Sequence, residues 1–109
     1  MNELTIWQNI KQNASRVGRG TTRIFLELYY VLKSPETPFW DKTIIVSALS
    51  YQFLPKQILS KEKHGILGYT DNIVTLMLAY NRVKRRVTPQ IAMRVDMTLN
   101  QWFGHTLIE

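Results

Sequence analysis

Across the chain, apolar side chains return every three or four residues, and this period constrains the fold more than any other feature of the sequence. A period near 3.6 gathers apolar groups on one face of a helix, whereas a strand buried on one side needs strict alternation, and no such alternation is found here. In residues 4–17 the apolar positions are Trp7, Ile10, Ala14 and Val17, with Lys11, Gln12 and Arg16 turned away. Gly18, Arg19 and Gly20 interrupt the pattern. Thr21 or Thr22 then caps a second helix carrying Ile24, Phe25, Leu28, Val31 and Leu32, which stops at Ser34-Pro35 because proline disfavours helical geometry in the residue before it.

Thr37-Pro38 reads as an N-cap with proline at the first helical position, where its missing N–H costs nothing. The third helix so started presents Trp40, Ile44, Ile45, Ala48, Leu49 and Phe53 as its inner face and is limited by Pro55. Residues 55–69 hold Pro55, Gly65, Gly68 and three lysines without periodicity and read as a long loop. From about Thr70 a fourth helix shows Ile73, Leu76, Met77, Tyr80 and Val83, widened by Val74 and Leu78. Thr88-Pro89 repeats the cap-plus-proline signal, and the fifth helix carries Ile91, Val95, Leu99 and Trp102 before Gly104 ends it. The expectation is an all-α chain, a single compact domain over residues 1–109, with about five helices and one long loop at about 55–69.

A chain of 109 residues is long enough to bury a modest core without staples. With 45% hydrophobic and 20% charged residues, neither disorder nor a fibrous repeat fits. The absence of cysteine removes disulfides, thiolate metal sites and cysteine nucleophiles. The longest uncharged stretch in the first half, residues 43–55, has 13 residues, against the roughly 20 apolar ones that a spanning helix needs. Polar Gln8, Asn9 and Gln12 stand where a secretion signal requires a continuous apolar run, so the expected location is cytoplasmic, or peripheral at a membrane.

Residues 35–42 (Pro-Glu-Thr-Pro-Phe-Trp-Asp-Lys), the run 48–51, Leu54-Pro55, and Gly68-Tyr69-Thr70-Asp71-Asn72 together resemble the YkvA-like family, a bacterial domain of unknown function. The resemblance covers about residues 34–82. In that family a helix runs into a Pro-x-Asp-x-x-Pro loop and a Gly-Tyr-x-Asp-Asp motif opens the next helix, and several members are membrane-associated. The chain departs from this pattern: Gln57 stands at the aspartate position, Ser60 near the second proline, and Asn72 at the second aspartate of the pair. The resemblance therefore implies a fold and carries no activity across.

Fourteen Lys and Arg against eight Asp and Glu give a net charge of +6, which favours polyanionic partners. Arg82, Lys84, Arg85 and Arg86 form the densest basic group, with Lys56, Lys61 and Lys63 a second, and both are candidates for binding phosphates. The run at 82–86 also reads as a solvated helix end, which is the commoner role of such runs. His64, Asp71 and Asn72, where the loop meets the fourth helix, form a candidate polar site, although an acid at a helix start is commonly a cap. Trp7, Lys11, Arg16 and Arg19 on the first helix make a candidate membrane-interface surface, with core packing as the alternative. The two histidines, His64 and His105, have no metal-ligand spacing, no serine lies in a nucleophile elbow and no phosphate loop is present, so neither metal nor cofactor nor catalysis is expected. The expected function is a non-enzymatic, small basic helical binding module acting at an anionic membrane surface or on a protein partner. Nucleic-acid binding through the basic groups, or docking on an acidic protein as a regulator, are the alternatives; the sequence leaves homo-oligomerisation open.

Overall fold

The computed structural model describes residues 3–53 and 66–104, with side chains at 66–73 outside the description. It contains α1 (Glu3–Lys33), α2 (Phe39–Gln52), α3 (Ile66–Val83), a 3₁₀ turn (Lys84–Arg86) and α4 (Pro89–Phe103). No strand occurs among the described residues, in keeping with the all-α expectation, but the helices number four rather than five.

The difference lies in α1. A straight helix would set residues 7 and 29 about 33 Å apart, yet the rings of Trp7 and Tyr29 have centroids 5.0 Å apart. The helix folds back on itself at one residue, Gly18, whose φ of 89° and ψ of 169° lie in a region that side chains with a Cβ essentially never occupy. Arg19 and Gly20 are already helical. What reads in the sequence as a break between two helices is a reversal at the single residue Gly18, with a helical arm on either side of it. The Thr22 hydroxyl spans it, donating to the Ala14 carbonyl at 3.4 Å instead of capping a new helix. The arm before Gly18 buries Ile6, Ile10 and Ala14, and the arm after it buries Phe25, Leu26, Leu28, Val31 and Leu32. Each fully buried aliphatic side chain contributes about 1.5–3 kcal/mol relative to exposure.

The turn after α1 also differs from expectation. Thr37 is buried and its hydroxyl donates to the Val31 carbonyl at 2.6 Å, so it closes the end of α1. Pro38 stands at the N-cap position of α2 and makes no side-chain cap bond. Thr88 does cap as expected, accepting from the Ile91 amide at 3.2 Å, and Gly104 ends α4 at φ 81° with its amide bonded to the Asn100 carbonyl. The start of α3 at Ile66 shortens the expected loop; residues 54–65 lie outside the described residues.

α1 packs against α4 and α2, and α2 pairs with α3. Ile45, Leu49, Leu76, Val83, Val95 and Leu99 meet the two arms of α1 in one core. On α2 the buried stripe is Asp41, Ile45, Ala48 and Leu49. At 3.6 residues per turn Trp40 stands roughly 120° from the centre of that stripe. It is 69% exposed, which corrects its expected place on the inner face. Met77 and Leu78 of α3 also face outward more than their period suggests, because Leu76, Ala79 and Val83 fill the inward positions.

Candidate functional site

The charged centre of the molecule is Asp41. It lies in the first turn of α2, where a carboxylate is favoured by the helix dipole, and it is buried. α3 runs back alongside α2, bringing Arg82 and the following 3₁₀ turn to the start of α2. Arg82 Nε donates to Asp41 Oδ1 at 3.1 Å and Arg86 Nε to Oδ2 at 2.6 Å. The hydrogen bond from Arg86 is the main reason that the Asp41 carboxyl is held below its ordinary pKa; burial opposes it, and the bond from Arg82 and the charges of both arginines add to the lowering.

The basic group named from the sequence is thus divided. Arg82 and Arg86 are tied to one buried anion, whereas Lys84 and Arg85 are exposed. A run of four cations in sequence becomes two anchored and two outward charges, and the anchored pair is fixed in place. Phe39 and Trp40 stand immediately before Asp41. Both are large and apolar, both are about 70% exposed, and their rings meet edge to face at 5.6 Å. On α3, Leu78 lies one turn before Arg82 and is likewise exposed.

The other sequence candidates are distributed differently. Trp7 is part of a ring cluster, 5.0 Å from Tyr29, 6.2 Å from Tyr30 and 5.2 Å from Trp102 between centroids. The apolar side of the first arm of α1 is occupied by this cluster and the core, so core packing is what the structure places there. Lys11 is exposed, and Arg16 donates to the Asn13 side-chain oxygen. Arg19 donates to Asn100 Oδ1 at 2.9 Å, with its guanidinium 5.9 Å from the centre of the Phe103 ring. These four residues do not form one surface. Lys56, Lys61, Lys63 and His64 lie outside the described residues. Asp71 and Asn72 fall within α3 rather than at its start, since the helix begins at Ile66, and their side chains are outside the description.

Two groupings were missed in the sequence. The Asp41 cluster gives no local signal, because its partners are 41 and 45 residues away; a lone aspartate after Pro38 looks like any first-turn acid. The second is a core-edge set in which Arg23 pairs with Asp96 and approaches Glu27 at 3.8 Å. The Tyr80 hydroxyl bonds to Glu27, which together with burial raises its pKa. Among the described residues no three His, Cys, Asp or Glu side chains gather in a way that could hold a metal ion, and no helix is long and apolar enough to cross a membrane.

Together these features define an all-α globule with an anchored arginine pair beside an exposed aromatic pair. Comparison of the chain with protein-family models, with curated proteins and with solved structures finds no match in any of the three.

Proposed function

We propose that the protein is a non-enzymatic helical binding module that docks on an anionic membrane surface through the start of α2. The observation that carries this reading is the Phe39–Trp40 pair, about 70% exposed on an otherwise well-packed helix. Two large aromatics held in water are costly to leave there, and amphipathic rings beside cations suit the headgroup boundary, where the ring enters and the charge meets phosphate. Lys84 and Arg85 supply outward charge from the adjoining 3₁₀ turn, and the net charge of +6 draws the molecule to such a surface. The resemblance of residues 34–82 to the YkvA-like family, some of whose members are membrane-associated, belongs to the same proposal and points the same way.

Sedimentation with vesicles tests it. Vesicles containing phosphatidylserine are expected to pellet the protein, phosphatidylcholine vesicles are not, and Phe39→Ala with Trp40→Ala lowers the fraction pelleted. Equal recovery in the supernatant with both vesicle types overturns the reading, and salt-sensitive retention of a nucleic-acid duplex in its place would move the function to nucleic acid.

A further inference from the structure

Beside Arg86, two adjoining clefts of about 490 and 370 Å³ open between the end of α1, the 3₁₀ turn and the start of α4. They meet at Ser34, Glu36 and Thr88, which line both. Four cations from three elements border them: Lys33 and Arg94 on the larger, Arg85 and Arg86 on the smaller. One carboxylate, Glu36, opposes them. From this convergence we infer that the joined cleft binds a small phosphate-bearing anion.

Three features build the site for that chemistry. First, Arg86 is pre-positioned. Asp41, buried behind it, takes only Nε, so the guanidinium that lines the cleft is fixed before any ligand arrives, and little side-chain freedom is lost on binding. Secondly, the cleft floor is the N-terminus of a 15-residue helix. Thr88 satisfies the Ile91 amide, and Ala92 bonds to the Thr88 carbonyl. Pro89 has no N–H, which leaves the Gln90 amide as the first-turn donor without an intrahelical acceptor, and Gln90 lines the larger cleft. Thirdly, Ser34 and Thr88 add hydroxyls at the join, while the Tyr30 ring and Ile91 give the larger lobe an apolar wall. Phosphate oxygens accept charge-assisted hydrogen bonds from donors of these kinds, which an uncharged ligand would form only more weakly.

Only Arg85 is common to this cleft and the vesicle-docking surface, and the first two arms of the test use no membrane. Titrate ¹⁵N-labelled full-length protein with inorganic pyrophosphate and, in a second arm, with soluble inositol trisphosphate. Both are expected to shift the Gln90 and Ile91 amide resonances. The double variant Lys33→Ala with Arg94→Ala should bind about tenfold more weakly, the loss of roughly one charge-assisted hydrogen bond. Glu36→Gln should bind about threefold more tightly, because an opposing exposed charge is removed. This gain cannot come from misfolding. A third arm offers vesicles bearing phosphatidylinositol bisphosphate: retention that free inositol trisphosphate competes away makes the ligand a lipid headgroup, and no added retention makes it a free phosphate ester. Absence of amide shifts at millimolar pyrophosphate and inositol trisphosphate, or affinities unmoved by both the double variant and Glu36→Gln, overturns the inference.

Discussion

Asp41 shows how much one buried side chain can organise. Its burial is tolerable only because two guanidinium groups hydrogen-bond to it, and removing the anion leaves two cations facing each other at the start of α2. Loss of one partner of a fully buried pair costs about 3–5 kcal/mol. Arg82 is 57% and Arg86 29% exposed, so both can turn to water, and Asp41→Asn should cost less, about 2 kcal/mol, measured by urea unfolding at neutral pH. The sign of the pH dependence follows from the lowered pKa. The stabilisation is complete above the unfolded carboxyl's value of about 3.9 and is lost as pH falls through the lower folded value. The gap between wild type and Asp41→Asn should therefore be constant from pH 5 upward, by order of magnitude, and close only in strong acid. A gap that widens on acidification would refute the ion cluster as its source. Little of this was readable beforehand. The four cations at 82–86 were visible as a group, but which of them are neutralised depends on a contact between elements that no sequence spacing announces.

At the scale of the element, α1 turns on two glycines with opposite roles. Gly18 holds a positive φ and a Cβ there would meet nothing within 4 Å, so the cost of a side chain is purely one of backbone conformation. Gly18→Ala should destabilise by about 2 kcal/mol. Gly20 is helical and equally open, so Gly20→Ala should stabilise by about 0.5–1 kcal/mol through the unfolded chain's lost freedom. Paired thermal melts of the two variants check the assignment, and shifts of the same sign would contradict it. The sequence marks this place well: the Gly-Arg-Gly triplet is the break in the apolar period. It does not mark which glycine bends, because both are compatible with a reversal and the choice is made by the packing of Trp7 on Tyr29. The α2 face was misjudged for a related reason. Period alone cannot tell an apolar face that includes Trp40 from one that leaves it outward, and the buried aspartate occupies the position that fixes the phase.

For the whole molecule the charge of +6 is the quantity to test, since it acts at a distance while the aromatic pair acts only on contact. Exposed charges separated by more than the screening length cease to matter, and that length falls from about 10 Å at 0.1 M salt to about 3 Å at 1 M. Anchored Arg82 and Arg86 already face an anion, so the outward pair, Lys84 and Arg85, should carry much of the attraction at this end of the molecule. The variant Lys84→Ala with Arg85→Ala should therefore bind phosphatidylserine vesicles about thirtyfold more weakly than wild type at low salt, at roughly 1 kcal/mol for each basic residue near the surface. In high salt the two proteins should converge on a common, weaker affinity, because salt and the substitutions remove the same electrostatic contribution. What persists is ring insertion, so Phe39→Ala with Trp40→Ala should lower that shared residual. Parallel salt dependences for wild type and the Lys84, Arg85 variant would instead place the attracting charge elsewhere on the molecule.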